Sequence, residues 1–117
     1  MNELLFKKIC SKYVTGVTVI TSRKDEINYG FTANSFTSVS INPLLVLFCL
    51  KNDSSSIKAL EMGSHFVINI LSETQSKICD NFSNNNLDHF ERFKEVETTS
   101  SINNIKIISN SIAWIEC

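Results

Sequence analysis

With 117 residues, the chain is long enough to bury one core without disulfides or structural metal and too short for two independent domains, so residues 1–117 are expected to form a single domain. Hydrophobic residues make up 43% and charged residues 20% of the chain, with one Pro and three Gly, a profile that excludes a disordered polypeptide. Eleven basic side chains against twelve acidic ones leave a formal charge of −1, so no global field draws the protein onto nucleic acid or an anionic bilayer.

Residues 2–13 carry Leu4, Leu5, Lys8, Ile9 and Lys12 at mixed helical spacing and predict a short amphipathic helix. The same segment lacks the order of charge, apolar stretch and small cleavage residues that marks a signal peptide. The longest apolar run, residues 44–50, falls far short of the roughly 20 residues of a membrane helix, so a cytoplasmic address is expected. Gly16-Val17-Thr18-Val19-Ile20-Thr21 reads as the first strand, and the charged stretch Arg23-Lys24-Asp25-Glu26 as a hairpin turn. A second strand is expected over residues 28–39, ended by Asn42-Pro43. Residues 44–50 are continuously apolar, which predicts a strand covered on both faces at the centre of the core.

Asn52-Asp53-Ser54-Ser55-Ser56 offers N-caps for a helix through Ile57, Leu60 and Met62, with Gly63 placed to end it. Residues 65–71 read as another buried strand. Ser72-Glu73-Thr74-Gln75 then has the spacing of a capping box that opens a helix through Ile78 and Phe82. Ser83-Asn84-Asn85-Asn86 predicts a loop, Leu87, Phe90 and Phe93 a helical turn, and residues 105–108 and 112–115 two further strands. Short strands with inserted helices predict an antiparallel barrel with helices plugging its ends, and the absence of Gly-x-Gly-x-x-Gly argues against a Rossmann site. Cys10, Cys49, Cys79 and Cys117 are widely spaced among apolar neighbours and are expected as buried free thiols. His65 and His89 complete no zinc site with them. His65 is expected to pack or cap, and His89 lies near a loop that could face a ligand, although its neighbours Asp88 and Glu91 fit a solvated surface group equally; neither histidine is given a role.

No serine-hydrolase elbow, zinc-protease motif or phosphate loop is present, so chemistry here calls for a borrowed reagent such as a redox cofactor. The informative segment is residues 30–40. Strand alternation places Thr32, Asn34, Phe36, Ser38 and Ser40 on one face and Phe31, Ala33, Ser35, Thr37 and Val39 on the other, and neither face is apolar enough for pure core. Small Ala33 and Ser35 let a flat ring approach the backbone. A Thr/Ser-rich edge strand facing water fits the same composition. Ser54, Ser55 and Ser56, at a helix start after a buried strand, suit a phosphate, although capping explains one or two of the three.

These pieces resemble the flavin reductase domain family, the FMN-binding split barrels that include reductase components of two-component monooxygenases. The match runs in order through Thr15-Gly16-Val17-Thr18-Val19-Ile20-Thr21, the segment of residues 30–40, Asn42-Pro43 with the apolar run after it, Ser54-Ser55-Ser56, Phe66-Val67-Ile68-Asn69-Ile70-Leu71-Ser72, Arg92-Phe93 and Ala113-Trp114-Ile115-Glu116-Cys117. The resemblance implies a mainly β fold with short helices, a six-stranded antiparallel Greek-key split barrel. It also implies a homodimer with the flavin near the subunit interface, and NAD(P)H-dependent reduction of FMN or FAD. Thr32, Ala33, Asn34 and Ser35 would line the isoalloxazine, Cys49 and Leu50 would lend backbone contacts beside the ring, and Ser54, Ser55 and Ser56 would hold the ribityl phosphate. No acid or base is implied, since hydride transfer in a stacked pair asks mainly for proximity and orientation. Family members continue past the Glu-Cys strand into strands with a Gly-Asp-His segment, so the barrel is expected to be incomplete at its C-terminus, in a fragment or in a shortened protein. Three readings follow: an oxidoreductase serving a partner oxygenase or another acceptor, a non-enzymatic flavin-binding or redox-sensing module, and a remnant without cofactor affinity.

Overall fold

The computed structural model describes residues 1–61 and 64–117. Helix α1 (Glu3–Cys10) is capped by Asn2, whose side-chain oxygen accepts the Leu5 N–H at 2.8 Å, and none of its residues is buried. Strands β1 (Thr18–Lys24) and β2 (Ile27–Ala33) form an antiparallel hairpin in register from Lys24 opposite Ile27 to Thr18 opposite Ala33. Asp25 and Glu26 make its two-residue turn, both at positive φ (51° and 66°), the left-handed pair that matches the twist of the flanking strands. The turn is thus tighter than the charged stretch suggests, and Arg23 and Lys24 extend β1.

The single strand expected over residues 28–39 is two strands in two sheets. β2 leaves the β1 ladder at Ala33, and the chain resumes as β3 (Thr37–Ile41), which pairs with β4 (Leu44–Leu47) across Asn42 and Pro43. Residues 44–50 do not form the centre of the core. Among the described residues β4 has only β3 as a strand neighbour, so Leu44, Leu45 and Leu47 are exposed, while Val46, Phe48 and Leu50, every second residue, pack toward the interior. The helix expected after the serines is one 3₁₀ turn, Ile57–Ala59. Met62 and Gly63, expected at its end, lie outside the described residues.

The centre is β5 (Phe66–Ile70). Helix α2 (Ser76–Ser83) follows it, but only half of the expected capping box forms. The Gln75 side chain accepts the Ser72 N–H at 2.9 Å, whereas the Ser72 hydroxyl meets Thr74, so the helix starts at Ser76. A full box, Asp88 with Glu91, opens helix α3 (His89–Phe93). Strand β6 (Thr98–Ser100), absent from the expectation, pairs with β7 (Lys106–Ile108), and β8 (Ala113–Glu116) closes the described chain. The architecture is mainly β with short helices, as expected. Its principal sheet has the order β2-β1-β5-β8, all pairs antiparallel, and the two hairpins remain separate sheets rather than joining a closed ladder among the described residues.

Both faces of that sheet are covered, because successive residues of β1 point opposite ways. Val19 packs with Leu71, Phe82 and Ile108 under the helices, while Ile20 packs with Phe31, Ala33 and Ile68. Asn69 ties the sheet to the β6–β7 ribbon: its amide donates to the Val19 carbonyl at 2.9 Å and to Thr21 Oγ1 at 3.2 Å, and its Oδ1 accepts the Ile108 N–H at 2.9 Å. Every polar atom of that buried side chain is therefore partnered. The cysteines are free, as expected, but not buried: Cys10, Cys49 and Cys117 are exposed and Cys79 is half-buried. Burial raises the pKa of the Cys79 thiol, with Asp80 adding to it.

Candidate functional site

The break between β2 and β3 opens a cavity of about 680 Å³, within the size range of small-molecule sites. Thr32, Ala33, Asn34 and Ser35 all line it. Four consecutive residues on one wall are incompatible with a straight strand, whose side chains alternate, so the bend after Ala33 creates the wall. Two contacts hold the bend. Ser35 Oγ accepts the Cys49 N–H at 2.8 Å and lies 3.4 Å from the Cys49 carbonyl, and Thr18 Oγ1 donates to the Ala33 carbonyl at 2.7 Å. The Thr32 hydroxyl is engaged in structure, donating to the Cys79 carbonyl at 2.7 Å.

Cys49, Leu50, Ser54 and Ser55 also line it, so eight of the nine residues singled out in the sequence meet at one cavity. Ser56 is the exception. It is 1% exposed and does not line the cavity, and among the described residues its hydroxyl has no hydrogen-bond partner. The chain turns tightly here, with the Ile57 N–H bonded to the Ser54 carbonyl at 3.1 Å, which rotates the third serine inward. A single 3₁₀ turn also supplies no helix dipole of note, so any anion held here relies on side chains and local amides rather than on a helix terminus.

Helix α3 brings in two residues to which the sequence analysis gave no role. Arg92 is 6% exposed, lines the cavity, and donates from Nη1 to the Gly30 carbonyl at 2.8 Å and from Nη2 to the Asn84 carbonyl at 3.0 Å. Among the described residues no carboxylate lies within ion-pair distance of it, so its charge is uncompensated at the cavity wall. Burial lowers its pKa, yet a guanidinium keeps its proton at neutral pH. One turn earlier, His89 is half-buried rather than solvated: Nδ1 accepts the Gly30 N–H at 3.3 Å, Nε2 lies 2.9 Å from Ser55 Oγ, and the ring sits 4.7 Å from that of Tyr29. Burial, with Arg92 beside it, holds the imidazole pKa below its ordinary value. Spacing of three residues puts both side chains on one helix face, and the Asp88–Glu91 capping box is the sequence signal for it. His65, by contrast, is exposed, its Nδ1 3.4 Å from Asn103 Nδ2.

Gly30 is the residue that α2 and α3 close upon. A Cβ there would stand 2.5 Å from the Phe82 ring and 3.1 Å from Phe93, so the glycine sets how near the helices approach the strand and how narrow the cavity is. The cavity combines a bent, small-residue strand with hydroxyls and a buried cation. That donor set suits a planar ligand carrying an anionic group.

A family model described as Flavin reductase like domain matches residues 10–117. The chain is 35% identical over 112 residues to the reductase subunit HsaB of a flavin-dependent monooxygenase from Rhodococcus jostii (strain RHA1), covering 96% of this chain and 56% of that protein. It is 32% identical over 116 residues to the FMN reductase (NADH) SmoA of Agrobacterium fabrum, covering 99% of this chain and 64% of that protein. Among solved structures, the NADH:FAD oxidoreductase SgcE6 of Streptomyces globisporus C-1027, in complex with NAD and FAD fragments, superposes with a TM-score of 0.90 at 29% identity, over 99% of this chain and 68% of that one. The chain thus spans between about a third and two thirds of the curated relatives' own length. By the family match, the relatives and the shared fold together, the chain belongs to the flavin reductase like domain family.

Proposed function

We propose that residues 1–117 form a single flavin-binding domain that acts as an NAD(P)H-dependent flavin oxidoreductase, reducing FMN or FAD and passing electrons to a partner oxygenase or another acceptor. The observation that carries this reading is the convergence of Thr32, Ala33, Asn34 and Ser35 with Cys49, Leu50, Ser54 and Ser55 around one cavity whose wall holds the unpaired Arg92 charge. A flavin held there would supply the redox chemistry, that of a two-electron hydride acceptor. The residues of the chain do the rest. The small side chains of the bend let a ring lie against the backbone, while Ser54 and Ser55 offer hydroxyls to the phosphate end and Arg92 contributes positive potential. The relatives' names, which include an NADH-linked FMN reductase and a monooxygenase reductase subunit, support the donor and the partner. A homodimer is proposed on the strength of the exposed apolar β3–β4 hairpin, and a cytoplasmic location on the four free thiols.

Titrating FMN and FAD into the purified chain tests the site: flavin fluorescence is expected to be quenched, and the Asn34→Leu, Ser55→Leu double variant to lose the response. Undiminished quenching in the double variant rejects the site. Quenching in the wild type without flavin-stimulated NADH or NADPH oxidation decides for a non-enzymatic flavin-binding or redox-sensing module.

A further inference from the structure

Tautomers in the wall of the cavity are dictated by the backbone. The Gly30 N–H can only donate, and it points at His89 Nδ1 at 3.3 Å, so that nitrogen carries a lone pair. A neutral imidazole then has its proton on Nε2, the atom 2.9 Å from Ser55 Oγ. The direction of that second bond follows: His89 donates and the serine oxygen accepts. Ser55 lines the cavity, whereas His89 does not.

We propose that His89 is a positioning residue for the anionic end of the ligand, occupying one lone pair of Ser55 Oγ so that the Ser55 hydroxyl proton is turned into the cavity to donate to a phosphate oxygen. The proposal rests on the flavin-binding reading above. A serine hydroxyl rotates freely about its C–O bond and can serve as donor or acceptor, and a phosphate accepts hydrogen bonds far better than it donates them. Fixing the hydroxyl as a donor in advance removes the wrong orientation and avoids a lone pair facing an anion. On balance the groups around the ring favour the neutral state this requires, burial and the two cations outweighing the opposite pull of Asp88 and of the Gly30 backbone. Arg92 stands on the same helix face and Lys58 lies near, burial disfavours charge, and of the nearby acids Asp88 is engaged by the Glu91 N–H at 2.8 Å. Gly30 completes the device: its N–H orients His89 and its carbonyl receives Arg92, so the backbone of one residue aligns both the neutral donor and the cation.

FMN and riboflavin differ only in the phosphate, which separates this role from a merely structural one. His89→Phe keeps a ring of similar size without the donor and is expected to weaken FMN binding about tenfold, the loss of one well-aligned hydrogen bond to a charged group, with riboflavin affinity unchanged. His89→Gln, whose side-chain amide can donate from the Nε2 position, is expected to restore most of the FMN affinity. In a Ser55→Ala background, His89→Phe should have no further effect, because the residue acts through that hydroxyl. Nitrogen NMR of the wild-type imidazole needs no variant and should find the proton on Nε2. Equal losses for FMN and riboflavin, additivity with Ser55→Ala, or a proton on Nδ1 would each overturn the proposal. A wild-type chain that binds neither flavin overturns it through the reading beneath it, and is recognised before any variant is made.

Discussion

Two apolar strands have opposite fates in this molecule. β5, in Phe66-Val67-Ile68-Asn69-Ile70, lies between β1 and β8 with both faces covered, and Ile68 is 0% exposed. β4, in Leu44-Leu45-Val46-Leu47, pairs among the described residues with β3 alone, and Leu44 is 81% exposed, with Ile41 opposite it at 88%. Apolar composition therefore marks surface that needs a cover but does not say what covers it. In β5 the cover is the chain's own sheet, ribbon and helices. In β3 and β4 one side faces the Ile20 cluster through Val46 and Phe48, and the other presents leucines to the surroundings.

Mutations that sharpen the contrast differ widely in expected size. Ile68→Ala empties a position with no room to collapse and is expected to cost about 3 kcal/mol of unfolding free energy, read from urea denaturation. A cost below 1 kcal/mol would mean that β5 is not the centre. Asn69→Leu comes next, at about 2 kcal/mol, because it removes no apolar contact but leaves the buried Ile108 N–H without its acceptor and cuts the tie to the Thr21 hydroxyl. Leu44→Ala is the smallest, within about 0.5 kcal/mol of wild type in dilute chain. A larger, concentration-dependent loss from Leu44→Ala would show that a second copy covers the hairpin, in line with the proposed homodimer.

The site divides along the same line between local and long-range information. Residues 32–35 were legible because small and hydroxyl side chains interrupting an apolar pattern are a local feature, and the serines after residue 50 were legible for the same reason. The bend at Asn34 was not. Strand alternation extends smoothly through it, and only the pairing of Ala33 with Thr18 and of Ser35 with Cys49 shows where the chain changes sheets. Ser56 looked equivalent to its two neighbours until the turn at Ile57 set its hydroxyl inward.

By itself the sequence determined the mainly β class, the β1 and β5 strands, the Asn42-Pro43 turn and the residue types that gather at the cavity, since β-branched runs, turn residues and hydroxyl clusters act within a few positions of themselves. Tertiary structure alone decided which apolar run became the centre and that His89, 34 residues from Ser55 and 59 from Gly30, joins the two. The reason is that burial and hydrogen-bond partners belong to pairs of segments, and a pattern written along one segment carries no record of its neighbour.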